Sequence, residues 1–391
     1  MKILTINAGS SSMKFSCFEL PEEKELINGY FQRIGLYGSF YDVKINGEKL
    51  HRDMDIPNHL VALECIKKEI VELGVVKSLD EIDGIGHRLV HGGEAFKESV
   101  LIDDSVLETC EKYKKLAKLH MPAMLSCINA SKDAFKNTPM VAVFDTAFHQ
   151  SMDPVNYMYA LPYTWYEKYG VRKYGFHGTS HRYINDRIKE ILGKDKLKVI
   201  SCHIGSGASL CAIDNDKVVD TTMGFSPITG VMMGTRPGDV DPSVIEYMMD
   251  EAGMSLEEVM TTLNKHSGLE GICGKSDSRD VEQGIEDGDE KCVLAQDMYA
   301  QRVANYIAQY NNLLNGADVI VLTAGLGENS KNTRRDILNK VTSLGIEIDE
   351  SLNDFRGEER CITKKTSKIP VWVVPTNEEL MIAKDTYNLV K

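Results

Sequence analysis

One stretch of this chain occurs twice, and the repetition limits the folds open to it. Ile3-Leu4-Thr5-Ile6 is rich in β-formers, Asn7-Ala8-Gly9-Ser10-Ser11-Ser12 is turn-like, and Phe15, Cys17 and Phe18 belong to a second strand. Near the middle, Val199-Ile200-Ser201-Cys202 leads into His203-Ile204-Gly205-Ser206-Gly207-Ala208, and Leu210-Cys211-Ala212-Ile213 follows. Placing Asn7 on His203 aligns strand, turn and strand without a gap. The two halves are therefore expected to be one architecture built twice.

Helical patterns lie between the strands. Leu60, Leu63, Ile66, Ile70 and Leu73 follow the helical period, as do Val293, Tyr299, Val303, Ile307, Tyr310 and Leu314. Apolar runs at Met140–Phe144, Val319–Thr323 and Val371–Val374 read as buried strands. Strands alternating with helices predict an α/β protein whose sheets are covered by helices. With 391 residues there is room for more than one domain, and no low-complexity linker separates them. A boundary near Ser151-Met152-Asp153-Pro154 gives domains over 1–150 and 151–376. The last helix, from about Asn377, is expected to return to the first domain.

Composition excludes several classes. The formal net charge of −13 argues against nucleic acid or an anionic membrane surface as the main partner. A local arginine cluster is still free to bind a small anion. The nine cysteines are scattered, with no C-x-x-C pair, which suggests neither a zinc site nor a disulfide framework. Ile3–Ile6 is too short for a signal-peptide core, and no apolar run reaches transmembrane length. The expected location is the cytoplasm.

Three glycine or serine turns each follow a strand: Asn7–Ser12, His203–Ala208 and Thr323–Asn329. Backbone N–H groups in such turns bind phosphate oxygens, and glycine allows close approach. One turn alone reads as an ordinary hairpin; three, two of them a repeat, point to a nucleotide gripped between domains. None fits a P-loop or a dinucleotide fingerprint. Arg88 and Arg236 both lie near glycines, and an arginine fork suits carboxylate or phosphate. Taken alone, His177 fits a satisfied core histidine equally well. Asp145 ends an apolar strand, where α/β proteins present residues to ligands. Thr376 and Glu379 have capping-box spacing, which would leave Glu378 to serve a metal.

These segments, in this order, resemble the acetate kinase family. The resemblance is carried by Asn7–Ser12, His87-Arg88-Leu89-Val90-His91-Gly92-Gly93, Val143-Phe144-Asp145-Thr146-Ala147-Phe148-His149 and Tyr174-Gly175-Phe176-His177-Gly178-Thr179-Ser180-His181. Met233-Gly234-Thr235-Arg236, Thr323–Ser330 and Pro375-Thr376-Asn377-Glu378-Glu379 extend it over essentially the whole chain. It implies the duplicated actin-like ATPase fold shared with sugar kinases, with the active site in the interdomain cleft, and a homodimer. The implied reaction moves the γ-phosphoryl group of ATP to acetate with magnesium, giving acetyl phosphate and ADP, with manganese as a substitute metal.

By the same resemblance, Asn7 and Glu378 would hold magnesium with the active-site aspartate Asp145, and Ser10, Ser12 and Lys14 would meet phosphate. Arg88 would bind the acyl carboxylate, while His177 and Arg236 would stabilise the transition state. His203, Ile204, Gly205, Ser206 and Gly207 would take the nucleotide. Asp277, Ser278 and Arg279 would join them, with Gly325, Leu326, Gly327, Glu328 and Asn329. Val90, Leu119, Phe176 and Pro227 would line a small methyl pocket, with His120 near the phosphoryl path. Departures from the family pattern fall at Ser206, where asparagine is usual, and at Thr229, Pro237, Met121 and Met124. Two rivals are a kinase preferring propionate or butyrate and an ATP-driven binding module with no acceptor site.

Overall fold

In the computed structural model every residue is described except Ser10 and Leu119. Local chemistry sets the first strands. Apolar residues are frequent in β1 (Lys2–Ala8), β2 (Ser12–Glu19) and β3 (Lys24–Gln32), which bury Leu4, Ile6, Met13, Phe15 and Phe31 in one core. β4 (Phe40–Ile45), β5 (Glu48–Asp53), β6 (Gly84–Leu89), β7 (Val100–Leu101) and β8 (Met140–Phe144) complete a sheet of order β5-β4-β3-β2-β1-β6-β8-β7. The second sheet comprises β9 (Lys198–Ile204), β10 (Ala208–Asp214), β11 (Lys217–Thr221), β12 (Val319–Thr323), β13 (Arg360–Cys361) and β14 (Val371–Val373), in the order β11-β10-β9-β12-β14-β13.

Six strands of the first order, β3-β2-β1-β6-β8-β7, correspond in turn to the six of the second, and β4 and β5 extend the first sheet alone. In each, an antiparallel hairpin (β1–β2, β9–β10) pairs in parallel through its first strand with β6 or β12. A second parallel strand follows, then a short antiparallel edge. The duplication is thus a property of the fold. The gapless hairpin alignment needs correction, however. Ala8 faces Met13 across the first turn, whereas Ile204 faces Ala208 across the second, so the second turn is shorter by one residue.

The chain divides into two compact units, Met1–Phe148 with Asn377–Lys391, and His149–Thr376. In the first, the helix His59–Glu72 buries Leu63, Ile66 and Ile70 but leaves Leu60 exposed. The final helix, Glu378–Val390, packs on β6 because that strand offers it glycines. A Cβ on Gly84 would lie 3.1 Å from the Thr386 side chain, and one on Gly86 would collide with Thr386 and Ile382. In the second unit the helix Glu290–Leu313 buries Tyr299, Val303, Ile307 and Tyr310, with Val293 exposed. Among the described residues, no helix is long and apolar enough to cross a membrane.

Candidate active site

In the first unit the chemistry gathers at the carboxyl ends of three neighbouring parallel strands, where such sheets leave ligating residues outside the pairing ladder. Ile6 of β1 pairs with His87 of β6, and Arg88 pairs with Val143 of β8. That register sets Asn7, Arg88 and Asp145 side by side. Arg88 donates from Nε and Nη2 to the two oxygens of Asp145 at 2.8 and 2.5 Å, and from Nη1 to Asn7 Oδ1 at 3.0 Å. Burial works against the Arg88 charge, but the Asp145 carboxylate outweighs it and keeps the guanidinium firmly protonated. Three of five guanidinium N–H groups are engaged in these bonds, which leaves two to grip another anion.

Glu378 begins the final helix beside this group. Burial pushes its carboxyl up to about 7; Arg88 opposes the rise, and Asp145 and Glu379 add to it. The helix cap is not the expected one. Asn377 occupies the N-cap, its Oδ1 accepting from Leu380 N at 2.9 Å, so Thr376 and Glu379 form no capping box. Thr376 is drawn instead to Ser180, 2.9 Å between hydroxyl oxygens.

Among the described residues, no group of three or more His, Cys, Asp or Glu could hold a metal. Asn7, Asp145 and Glu378 are a different kind of donor set, all hard oxygens, of the sort magnesium takes with water completing its shell. A divalent cation is also the charge that a carboxyl raised by burial and like-charged neighbours lacks. The residues therefore fit magnesium.

Lys14 is exposed on β2, its ammonium 5.7 Å from the Tyr30 ring centre, and its charge reaches Glu378. Ser12 closes the first glycine turn, where its carbonyl accepts from Gly9 N at 2.8 Å. Val90 is buried just past β6, and His120 stands at the N-cap of the helix Met121–Ala134, with Met121 and Met124 buried behind it. Ser10 and Leu119 lie outside the described residues.

In the second unit, β9 and β12 run in parallel with His203 opposite Thr323, so their two following turns start level. They touch: a Cβ on Gly205 would lie 3.7 Å from Ala324 Cβ. Here Gly205, Ser206, Gly234, Asp277, Ser278, Arg279, Gly325, Leu326 and Asn329 line a cavity of about 360 Å³, within the range of small-molecule sites. The exposed Ser206 is part of that lining. Asp277 caps the helix Ser278–Glu286 and binds the Arg279 guanidinium, which holds its carboxyl down at about 2.

Gly327 and Glu328 are not in this lining. Thr323–Asn329 is a strand end and a short helix, Ala324–Asn329, rather than an open turn. Glu328 turns inward, accepting from the backbone N–H of Ala324 at 2.7 Å and of Thr376 at 3.0 Å. Ile204 is fully buried. Cavity residues that sequence reasoning missed include Leu269, Ser276, Glu282, Ser330 and Arg356. Of these, Ser330 ended the segment Thr323–Ser330, and Ser276 and Arg356 adjoin Asp277 and Gly357.

Beside the cavity stand the second arginine and the histidine. His177 adopts a left-handed backbone, φ 57°, at the start of the helix Gly178–Leu192. Its ring stacks on that of His203, centres 4.1 Å apart. Arg236 Nη1 donates to the carbonyl of Pro227 at 2.7 Å. A Cβ on Gly207 would lie 2.6 Å from Arg236 Nη2 and 3.6 Å from His177 Nε2, so glycine here lets both groups approach the phosphate-type turn. Phe176 is buried next to His177, and its carbonyl accepts from His149 Nε2 at 2.8 Å.

Known proteins are similar to this chain over its whole length. Residues 2–384 match the model of the acetokinase family. An acetate kinase of Bacillus subtilis (strain 168) is 48% identical over 393 residues, covering 100% of both chains. Among solved structures, Porphyromonas gingivalis acetate kinase matches with a TM-score of 0.94 at 44% identity, covering 100% of each chain. A propionate kinase from Francisella tularensis subsp. tularensis SCHU S4 matches at 0.95 with 40% identity, covering 99% of each. With full-length likeness in sequence and in structure, added to a duplicated α/β fold, the chain belongs to the acetokinase family.

Proposed function

We propose that this protein transfers the γ-phosphoryl group of ATP directly to acetate, giving acetyl phosphate and ADP, and that the reaction is reversible. The observation that carries the reading is Arg88, fixed by Asp145 and Asn7 with two donors left over. A nucleotide-driven binding module has no use for such a group; an enzyme that must hold a small carboxylate does. Each compact unit is read as one domain of the duplicated pair. In this reading Arg88, Val90, Leu119 and the metal residues belong to the first, and Phe176, Pro227 and the nucleotide residues from His203 onward to the second.

Acetate is a carboxylate and, like the side-chain carboxyls with pKa of about 4, is already ionised at neutral pH, so no general base is needed to make the nucleophile. One acetate oxygen forms a bond to the γ-phosphorus as the bond from phosphorus to the bridging oxygen of ADP breaks. The barrier is the approach of two anions, and the protein's task is to spread that charge. Arg88 orients the acetate carboxylate. Arg236 Nη2 and His177 Nε2, both directed at Gly207, bind the equatorial oxygens as charge develops on them. Magnesium, held by Asn7, Asp145 and Glu378, would supply further neutralisation of phosphate charge, and manganese would serve in its place. Lys14 and Ser12 add contacts to phosphate.

The acceptor pocket is assigned to Val90, Leu119, Phe176 and Pro227, with His120 close to the phosphoryl path. One methylene is worth only about 1–3 kcal/mol of discrimination, so propionate should be a slower second substrate. A homodimer is supported by Val244 and Tyr247, exposed one turn apart on the helix Ser243–Glu251. A need for ATP supports a cytoplasmic location. Trapping acyl phosphates with hydroxylamine in the presence of ATP and magnesium tests the reading. Acetyl hydroxamate should exceed the propionyl product at equal acceptor concentration. The reverse order would make the protein a propionate kinase, and no acyl hydroxamate at all would leave only the binding module.

A further inference from the structure

Behind His177 lies a chain of hydrogen bonds that ends deep in the second unit. His177 Nδ1 is 2.9 Å from Ser209 Oγ, and His181 Nε2 is 2.8 Å from that same oxygen. His181 Nδ1 is in turn 2.8 Å from Ser201 Oγ. The fold dictates this meeting. His177 is the N-cap of the helix Gly178–Leu192, and its carbonyl accepts from His181 N at 2.9 Å, which sets His181 one turn beyond it. β9 and β10 pair so that Cys211 is opposite Ser201, which puts Ser201 and Ser209 on adjoining strands near one another. Ser201, His181 and Ser209 are all fully buried.

Hydrogen counting decides the direction of the chain. A serine hydroxyl owns one hydrogen, and a neutral imidazole carries one N–H and one bare nitrogen. Burial holds His181 neutral, its proton affinity well below that of an ordinary histidine, with His149 and His203 adding to the effect. If Ser201 donates to His181 Nδ1, then His181 Nε2–H donates to Ser209, and Ser209 donates to His177 Nδ1. Every buried hydrogen then has an acceptor. In the reverse direction, the Ser201 hydroxyl hydrogen has no acceptor among the described residues. If instead Ser209 accepts from both rings, its own hydrogen is the one stranded. A buried donor without a partner is costly, so the first direction is favoured.

We propose that Ser209, backed by His181 and Ser201, locks His177 in the tautomer with its hydrogen on Nε2, which makes Ser209 and His181 positioning residues for phosphoryl transfer. The Nε2 edge faces Gly207 next to Arg236, so the lock aims a hydrogen-bond donor at the place where phosphoryl oxygens gain charge. Without it, His177 would populate the tautomer that turns a lone pair toward an anion. The catalytic part of this inference rests on the proposed role of His177 in the reaction; the tautomer does not.

The experiment is nitrogen NMR of the full-length protein labelled with 15N-histidine, the His177 signals being identified by their loss in His177→Gln. Near neutral pH the wild type should show His177 with a protonated Nε2 and a bare Nδ1. In Ser209→Ala that signature should give way to a tautomer mixture, whereas Ser209→Thr, which keeps the hydroxyl, should retain it. Turnover in Ser209→Ala should fall roughly 10–100-fold with the ATP KM nearly unchanged, and Ser209→Thr should recover most of the loss. A wild-type His177 protonated on Nδ1 would overturn the proposal, and so would an unchanged tautomer in Ser209→Ala. Should Ser209→Ala not fold, the wild-type spectrum alone decides. If the tautomer is as stated but His177→Gln keeps full kcat, the fault lies in the role given to His177, not in the lock.

Discussion

Asp145 grips Arg88 through both carboxylate oxygens, at 2.8 Å to Nε and 2.5 Å to Nη2, from the end of the neighbouring parallel strand. Bidentate pairing of this kind fixes the plane of the guanidinium as well as its position. It also assigns Asp145 a second duty besides any service to a metal.

Asp145→Asn should therefore raise the acetate KM more than it raises the magnesium concentration needed for half-maximal rate. An amide presents N–H groups to the guanidinium, and a charge-assisted pair worth about 1.5–3 kcal/mol is lost, roughly 10-fold or more in KM. Glu378→Gln should show the opposite ranking. Initial rates with acetate and magnesium varied in turn separate the two, and equal effects in both variants would refute the division.

The cap of the final helix gives a prediction about stability alone. Asn377→Ala should cost about 1 kcal/mol, because Asn377 Oδ1 is what satisfies Leu380 N. Glu379→Ala should cost much less, since Glu379 closes no capping box. Denaturant midpoints for the two variants check the order.

Ser206 is exposed, lines the cavity assigned to the nucleotide, and stands where the family resemblance leads one to expect asparagine. Ser206→Asn should lower the ATP KM several-fold, the worth of one neutral hydrogen bond of about 0.5–1.5 kcal/mol, and leave the acetate KM nearly unchanged. If the ATP KM does not move, Gly205 and Gly207 alone make the binding turn. A large acetate effect would move the turn to the acceptor.

Four buried histidines, His87, His91, His149 and His181, predict how stability depends on pH, the last held well below its ordinary value by burial. Burial lowers His87 to about 3, and His91 and His149 to about 4. In the unfolded chain each takes a proton near pH 6.5, so below that value the unfolded state binds more protons than the folded one. Stability should be full above about pH 6.5 and decline as pH falls toward 4, by about 1.4 kcal/mol per histidine per pH unit within the window. Thermal unfolding between pH 7.5 and 5 should show a falling Tm, with a shallower slope in His87→Gln. A flat profile would contradict neutral burial.

Local pattern revealed much of this molecule. The paired strand–turn–strand units, the buried strands and the helices His59–Glu72 and Glu290–Leu313 were all readable from periodicity and turn residues. What pattern did not reveal depends on contacts between distant residues. Nothing near Arg88 in sequence announces that Asp145, 57 residues on, will hold it. Turn composition located both glycine turns but not their lengths, because register is set by pairing, as Ala8–Met13 and Ile204–Ala208 show. Capping-box spacing pointed at Thr376, yet Ser180 competes for its hydroxyl and Asn377 caps instead. Glu282 and Arg356 reach the cavity assigned to the nucleotide from positions outside every segment singled out in the sequence.

The account's central claim is a division of labour, with Arg88 holding the acceptor and Arg236 meeting the charge of the transferring phosphoryl group. Full steady-state kinetics of Arg88→Ala and Arg236→Ala, with acetate and ATP each varied, test it most directly. Arg88→Ala should raise the acetate KM about 10-fold or more, beyond any change in the ATP KM. Arg236→Ala should lower kcat by roughly 100-fold with a smaller effect on the acetate KM, as expected for a contact strengthened in the transition state. Near wild-type activity in either variant, or the two patterns exchanged, would contradict it.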